Sequence, residues 1–216
     1  MKRYTFQLRP QMIGYDSSIR NKVDIIRYTI SILRYLIVRG KHEQLPFERT
    51  NILGDGQILL VIYIDKMSRA FIAEENKIHS FQFPFLLQED GESLLISFHG
   101  VRLDNTVCSI LTRTFEKSED DESIELLLER CWTAIEEVEE SREYEICKKI
   151  VTYLLSFESG YIRFDHDEVR SALNHPINHL DVNYSSSATF KIGSSEMKIK
   201  DFVEVLDLNS KCKFIS

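Results

Sequence analysis

The chain has no apolar run near the roughly 18 residues that a membrane-spanning helix needs. Its best candidate, residues 19–37, is interrupted by Arg20, Lys22, Asp24, Arg27 and Arg34, which argues against a bilayer span there. The opening MKRYTFQLRP carries basic residues but no apolar core and no small-residue cleavage site, so secretion is not expected. Cysteine is scarce and scattered. Cys108, Cys131, Cys147 and Cys212 form no CxxC pair, which speaks against a zinc ribbon and against a disulfide scaffold. A reducing cytoplasm is the expected compartment.

What the chain does have is an ordinary globular composition: 216 residues, 43% hydrophobic, 28% charged and 11% aromatic. That is enough to bury a sizeable core and too apolar for disorder. One α+β domain over residues 1–216 is expected, with a possible division into 1–115 and 116–216. The net charge of −7 conceals a split. Residues 116–145 hold 13 acids against 3 bases, whereas residues 1–41 hold 9 bases against 2 acids. A basic end and an acidic middle can steer a charged partner to one side of the molecule, although charge runs are usually solvated helix faces.

Hydrophobic spacing predicts a first helix over about Ser18 to Val38. Ile19, Val23, Ile26, Ile30, Leu33 and Ile37 form one stripe. Asp16, Ser17 or Ser18 can cap it, and Gly40 can end it. Beside the stripe, Arg20, Arg27, Arg34 and Lys41 recur every seven residues. This basic ridge is a candidate surface for a partner helix or for phosphates. Four β-rich runs follow, QILLVIYID, RAFIAEE, KIHSFQFPF and SLLISFHG. With turn residues between them, they predict an antiparallel meander. His79 and His99 fall in it singly and read as half-buried strand residues. Residues 105–115 are ambiguous. Ile124, Leu127, Leu128, Cys131, Ile135 and Val138, then Tyr144, Cys147, Ile150, Val151, Leu154 and Leu155, predict a long acidic helix or a helical hairpin with a break near 140–142, and Asp120, Asp121 and Glu122 suit its N-terminus. Glu136, Glu137, Glu139 and Glu140 lack the ExxH partner of a carboxylate-bridged metal site, so they read as a solvated face.

The C-terminal stretch is richer in chemistry. GYIRFD, INHLDVNY and ATFKI predict three strands, the last two joined by a serine turn, with DFVEVL as a short closing helix. Alternation puts Arg163 and Asp165 on one strand face, His179 and Asp181 on another, and Lys191 with Thr189 on the third. If the strands are neighbours, Arg163, Asp165, His179, Asp181 and Lys191 converge. A histidine beside a carboxylate is a general base near neutral pH, and two cations can stabilise a phosphate in its transition state. Together they are candidate catalytic groups for metal-independent phosphodiester chemistry. No metal or other cofactor is expected. His175 and His179 form HxxxH, but Pro176 and the following strand do not suit a helical zinc site. Asp181 followed by TFK is similar to a restriction-endonuclease core, yet Thr189 stands where the second acid belongs. In the plainest reading, NHP is a rigid turn and Arg163, Asp165 and His179 are a hydrogen-bond network at a sheet edge.

This stretch resembles an uncharacterised bacterial family known as domain of unknown function 2290. Its pattern is an R-[FY]-D strand, then HP-x-x-H-L-x-[IV], then a strand and a terminal helix; Arg163, Asp165, His175, Pro176 and His179 match. Asp181 departs from it, because the family tends to have a second histidine there. The first 150 residues match only in their helix-then-sheet order. The resemblance carries no established activity. It implies a place in a bacterial defence or mobile-element system, and the family's pattern is similar to that of some toxins of toxin–antitoxin pairs. Two readings follow. One is a non-catalytic protein-interaction subunit with a protein partner; the other is a nuclease-type effector acting on nucleic acid or a nucleotide. No membrane partner is expected.

Overall fold

A computed structural model describes residues 2–16, 18–39, 56–64, 67–91, 93–116, 123–137, 141–183, 190–207 and 209–211, with 141–144 described in backbone only. The fold is α+β, with every strand pair antiparallel. Ser17, Gly40, Lys41, Asp120–Glu122, Val138, Glu139, Glu140 and residues 184–189, Thr189 included, lie outside the described residues. No helix among those described is long and apolar enough to cross a membrane.

A strand that the hydrophobic pattern did not announce, β1 (Arg3–Leu8), starts the chain and pairs with β2 (Ile58–Tyr63). Between them runs α1 (Lys22–Arg39), which begins four residues later than expected. The reason is a reciprocal cap: the Asn21 side chain accepts from the Asp24 amide at 2.9 Å, and the Asp24 carboxylate accepts from the Asn21 and Arg20 amides. The sheet continues through β3 (Arg69–Ala73) and β4 (Lys77–Gln82). The expected meander stops there. β5 (Leu86–Asp90), a strand not expected from the sequence that runs into the turn residues EDGE, pairs with β6 (Ser93–Phe98), and β7 (Val101–Arg102) completes a separate three-stranded sheet.

Residues 105–114 form α2 (Asn105–Thr114), capped by Asp104. The acidic segment is a hairpin of two helices, α3 (Ile124–Glu136) and α4 (Ser141–Ser156). The chain then returns to the large sheet. β8 (Ile162–His166) pairs with β4, β9 (Asn178–Val182) with β8, and β10 (Phe190–Gly193) with β9. The C-terminal strands therefore extend the meander into one seven-stranded sheet ordered β1-β2-β3-β4-β8-β9-β10.

Each sheet face has its own core. Tyr4, Phe6, Leu60, Ile62, Ile72 and Phe81 pack with α1 and the helical layer on one side. Leu59, Val61, Phe71, Phe164 and Leu180 pack with Phe202 and Val203 of the closing helix α5 (Ile199–Leu206) on the other. On the first face the register aligns Phe6, Leu60, Ile72, His79, Arg163, Asp181 and Lys191 in one row across all seven strands. The row is apolar for three strands and polar for the remaining four.

Candidate functional site

The polar end of that row is where the five expected catalytic side chains meet. Residues directly opposite on antiparallel strands have Cβ atoms about 4.5–5.5 Å apart, and the register sets Arg163 against Asp181, Asp165 against His179, and Lys191 against Asp181. Arg163 Nε donates to Asp165 Oδ2 at 2.7 Å, and its Nη2 donates to Asp181 Oδ2 at 2.5 Å. Lys191 Nζ donates to Asp181 Oδ1 at 2.9 Å and stands 3.2 Å from His179 Nε2. The two carboxylates and the imidazole are buried, while Arg163 and Lys191 reach partly into solvent.

The tautomer of His179 follows from its surroundings. Pro176 O lies 2.8 Å from Nδ1 and can only accept, so Nδ1 carries the proton. The Nε2 lone pair then faces the Lys191 ammonium, with Asp165 Oδ2 at 3.5 Å and Asp181 Oδ1 at 3.9 Å. The turn closed by Ala172 and His175 leads into Pro176, whose carbonyl orients His179. His175 sits in the loop before β9, bridged to Ala172, with its ring edge-on to His179 at 4.5 Å between centroids. An HxxxH pair one helical turn apart does not exist here.

Two residues outside the expected set join the network. Tyr161 is buried, its hydroxyl meets the Arg163 guanidinium, and it lies 2.9 Å from His79 Nδ1. His79 is not half-buried, as expected, but sealed, stacked on Tyr161 and edge-on to Tyr15. Burial, with Arg163 and Lys77 adding to it, pushes its pKa down to about 3. Burial likewise raises Tyr161. Burial works against the Arg163 charge, but Asp165, Tyr161 and Asp181 together outweigh it and hold the guanidinium above its ordinary value. His79 was missed because its neighbour Tyr161 is 82 positions away in sequence. His99 lies exposed at a positive φ in the turn after β6, not in a strand.

Chemically the cluster is closed and balanced. Two guanidinium or ammonium charges face two carboxylates, and both cations are engaged by those acids. Comparison of the chain with family models, curated proteins and solved structures gave no match. The reading of the site itself rests on geometry.

Of the expected basic ridge, Arg20, Arg27 and Arg34 are described and Lys41 is not. Arg20 precedes α1, and Arg27 donates from Nε to Phe115 O at 2.7 Å, a carbonyl at the C-terminus of α2. Its charge answers the helix dipole there and Asp24 beside it. Arg34 remains exposed on the helix.

A different surface stands open on α3. Leu127, Cys131, Ala134 and Ile135 face the core, but Ile124, Leu128 and Trp132 are 56%, 44% and 51% exposed. Ile124 and Leu128 share the expected helical stripe, yet they form its shoulder and miss the core. Next around the helix come the exposed acids Glu125, Glu129 and Glu136, and Trp132 Nε1 donates to Glu136 Oε1 at 2.6 Å.

Proposed function

We propose that this protein is an interaction subunit that docks a basic amphipathic helix of a partner protein along α3. The observation that carries the reading is the ridge Ile124, Leu128 and Trp132, three large apolar side chains at four-residue spacing, each at least 44% exposed beside a row of glutamates. Contiguous exposed apolar side chains with a polar rim mark interaction sites. Four-residue spacing matches the helix-in-groove mode, and the acidic row selects a basic partner. The setting we propose is a bacterial defence or mobile-element system, on the strength of the C-terminal resemblance.

Trp132 is the chain's single tryptophan, so its fluorescence reports its own surface. Titration with an amphipathic lysine–leucine helical peptide is expected to shift its emission to the blue. Burying a leucine is worth about 1.5–3 kcal/mol, so Leu128→Glu is expected to weaken binding by about tenfold or more. An acidic peptide of the same pattern is expected not to bind. Emission unmoved by the basic peptide, or equal binding to Leu128→Glu, would remove the reading. A blue shift that grows with protein concentration alone would assign the ridge to a second copy of the chain.

A second reading is favoured by one observation, the His179 Nε2 held among Asp165, Asp181 and Lys191 while Nδ1 meets the Pro176 carbonyl. It is the acid–base effector, in which His179 moves the proton while Arg163 and Lys191 hold phosphate. His179 has no exposed surface, so this chemistry requires the cluster to open.

A further inference from the structure

The Lys191 ammonium occupies a point flanked by ligand-type atoms. It lies 2.9 Å from Asp181 Oδ1 and 3.2 Å from His179 Nε2. One donor atom each from Asp165, His179 and Asp181 falls within 4.8 Å of the others. The pairs His179–Asp165 and His179–Asp181 are 3.5 and 3.9 Å apart. Around an ion bound at about 2.0–2.2 Å, neighbouring ligand atoms stand roughly 3–3.5 Å from each other, so small side-chain adjustments close the set.

We propose that Asp165, His179 and Asp181 bind a divalent first-row transition-metal ion, and that Lys191 is the built-in cation that fills the site when the metal is absent. The ring is already oriented as a ligand, with Nδ1–H held by a backbone carbonyl and Nε2 turned toward the two carboxylates. That is how metal-ligating imidazoles are oriented. The second observation is at Asp165. This residue is 6% exposed, and its Oδ1 is buried with no hydrogen-bond partner, an acceptor that a buried carboxylate does not ordinarily leave unpaired. His175, whose ring packs edge-on against His179, is not among the three residues whose donor atoms come together.

Mobility fits the exchange. The ion replaces the ammonium as the positive charge on Asp181, and Arg163 stays on Oδ2 of both acids and fixes their planes, so the cluster gains one positive charge in the exchange. Lys191 sits on β10, whose residues are all exposed, and its own side chain is 32% exposed. A flexible four-carbon stem can turn to water without moving the sheet. One imidazole and two carboxylates suit Mn²⁺, Fe²⁺, Co²⁺ or Zn²⁺ better than the soft Cu⁺, which prefers sulfur. The sequence alone set a metal aside because Thr189 could not supply the second acid. The acid comes instead from Asp165 on the neighbouring strand.

The test is Mn²⁺ binding to the full chain, followed by the loss of the free-ion electron paramagnetic resonance signal. The wild type is expected to bind about one equivalent. Asp165→Asn and His179→Gln are expected to weaken binding at least about tenfold, and Lys191→Met is expected to tighten it by removing the competitor. Failure of both wild type and Lys191→Met to take up Mn²⁺ at millimolar concentration overturns the proposal. Binding that Asp165→Asn and His179→Gln leave unchanged also overturns it, because the ion is then elsewhere. If circular dichroism shows either of those variants unfolded, the wild type and Lys191→Met decide alone, and equal affinities count against the site.

Discussion

His79 shows how far one residue can depart from its local pattern. Its Nε2 has no hydrogen-bond partner, with Glu74 Oε1 3.9 Å away, and the ring is sealed between Tyr15 and Tyr161. The folded protein therefore keeps it neutral, down to about pH 3, whereas the unfolded chain protonates it near its ordinary 6.5. Between those values the unfolded state holds the extra proton, so stability falls as pH falls, by about 1.36 kcal/mol per pH unit. From pH 7 to pH 5 the wild type is expected to lose about 2 kcal/mol more than His79→Gln. Urea midpoints of both proteins at the two pH values check this; parallel losses would mean that His79 is protonated within the fold. The Arg163 cluster obeys the complementary rule. Removing one member of a buried ion network strands its partner, whereas an apolar replacement of the whole network can be neutral.

At the scale of elements, helix ends decide which charges are available. Arg27 is bound to the C-terminal carbonyl of α2, so it belongs to the fold before it belongs to any partner. Arg27→Ala is expected to cost about 1.5–3 kcal/mol, the range for a hydrogen bond to a charged group. Arg34→Ala, at an exposed position of the same helix, is expected to stay within about 0.5 kcal/mol. Denaturant unfolding of the two variants separates them, and equal effects would return Arg27 to the solvated ridge. A partner assay aimed at α1 should accordingly use Arg34. On α3 the same accounting runs the other way. Ser123 caps the helix and four side chains anchor it in the core, while Ile124, Leu128 and Trp132 stay exposed on its shoulder.

For the whole molecule, the large sheet joins two chemistries. Its β1–β4 half carries an apolar core under α1, and its β8–β10 half carries the ion cluster on the same face. The helical hairpin is inserted between these halves, because the chain leaves after β4 and returns as β8. The exposed α3 ridge and the ion cluster thus sit on different elements and can be altered independently. Expression of the wild type, His179→Ala and Leu128→Glu in bacterial cells, followed by growth, tells the two functional readings apart. A non-catalytic subunit is expected to leave growth unchanged in all three. Growth arrest by the wild type and by Leu128→Glu, abolished in His179→Ala, would put the effector reading first.

The α+β class, the placement of α1, β2–β4 and the C-terminal strands, and the shared faces of Arg163 with Asp165 and of His179 with Asp181 were legible in the sequence. They depend on local spacing, and side-chain periodicity is fixed by backbone geometry. β1 was not legible: RYTFQL is short, and it becomes a strand by pairing with β2, some fifty residues downstream. Nor was the end of the meander, since nothing local tells β4 to pair with β8 in place of the strand that follows it. The register that sets His79 beside Arg163, and Asp165 beside His179, is a property of pairings between distant segments. Alternation along a strand told which side chains share a face; only the pairing of strands decided which of those faces touch.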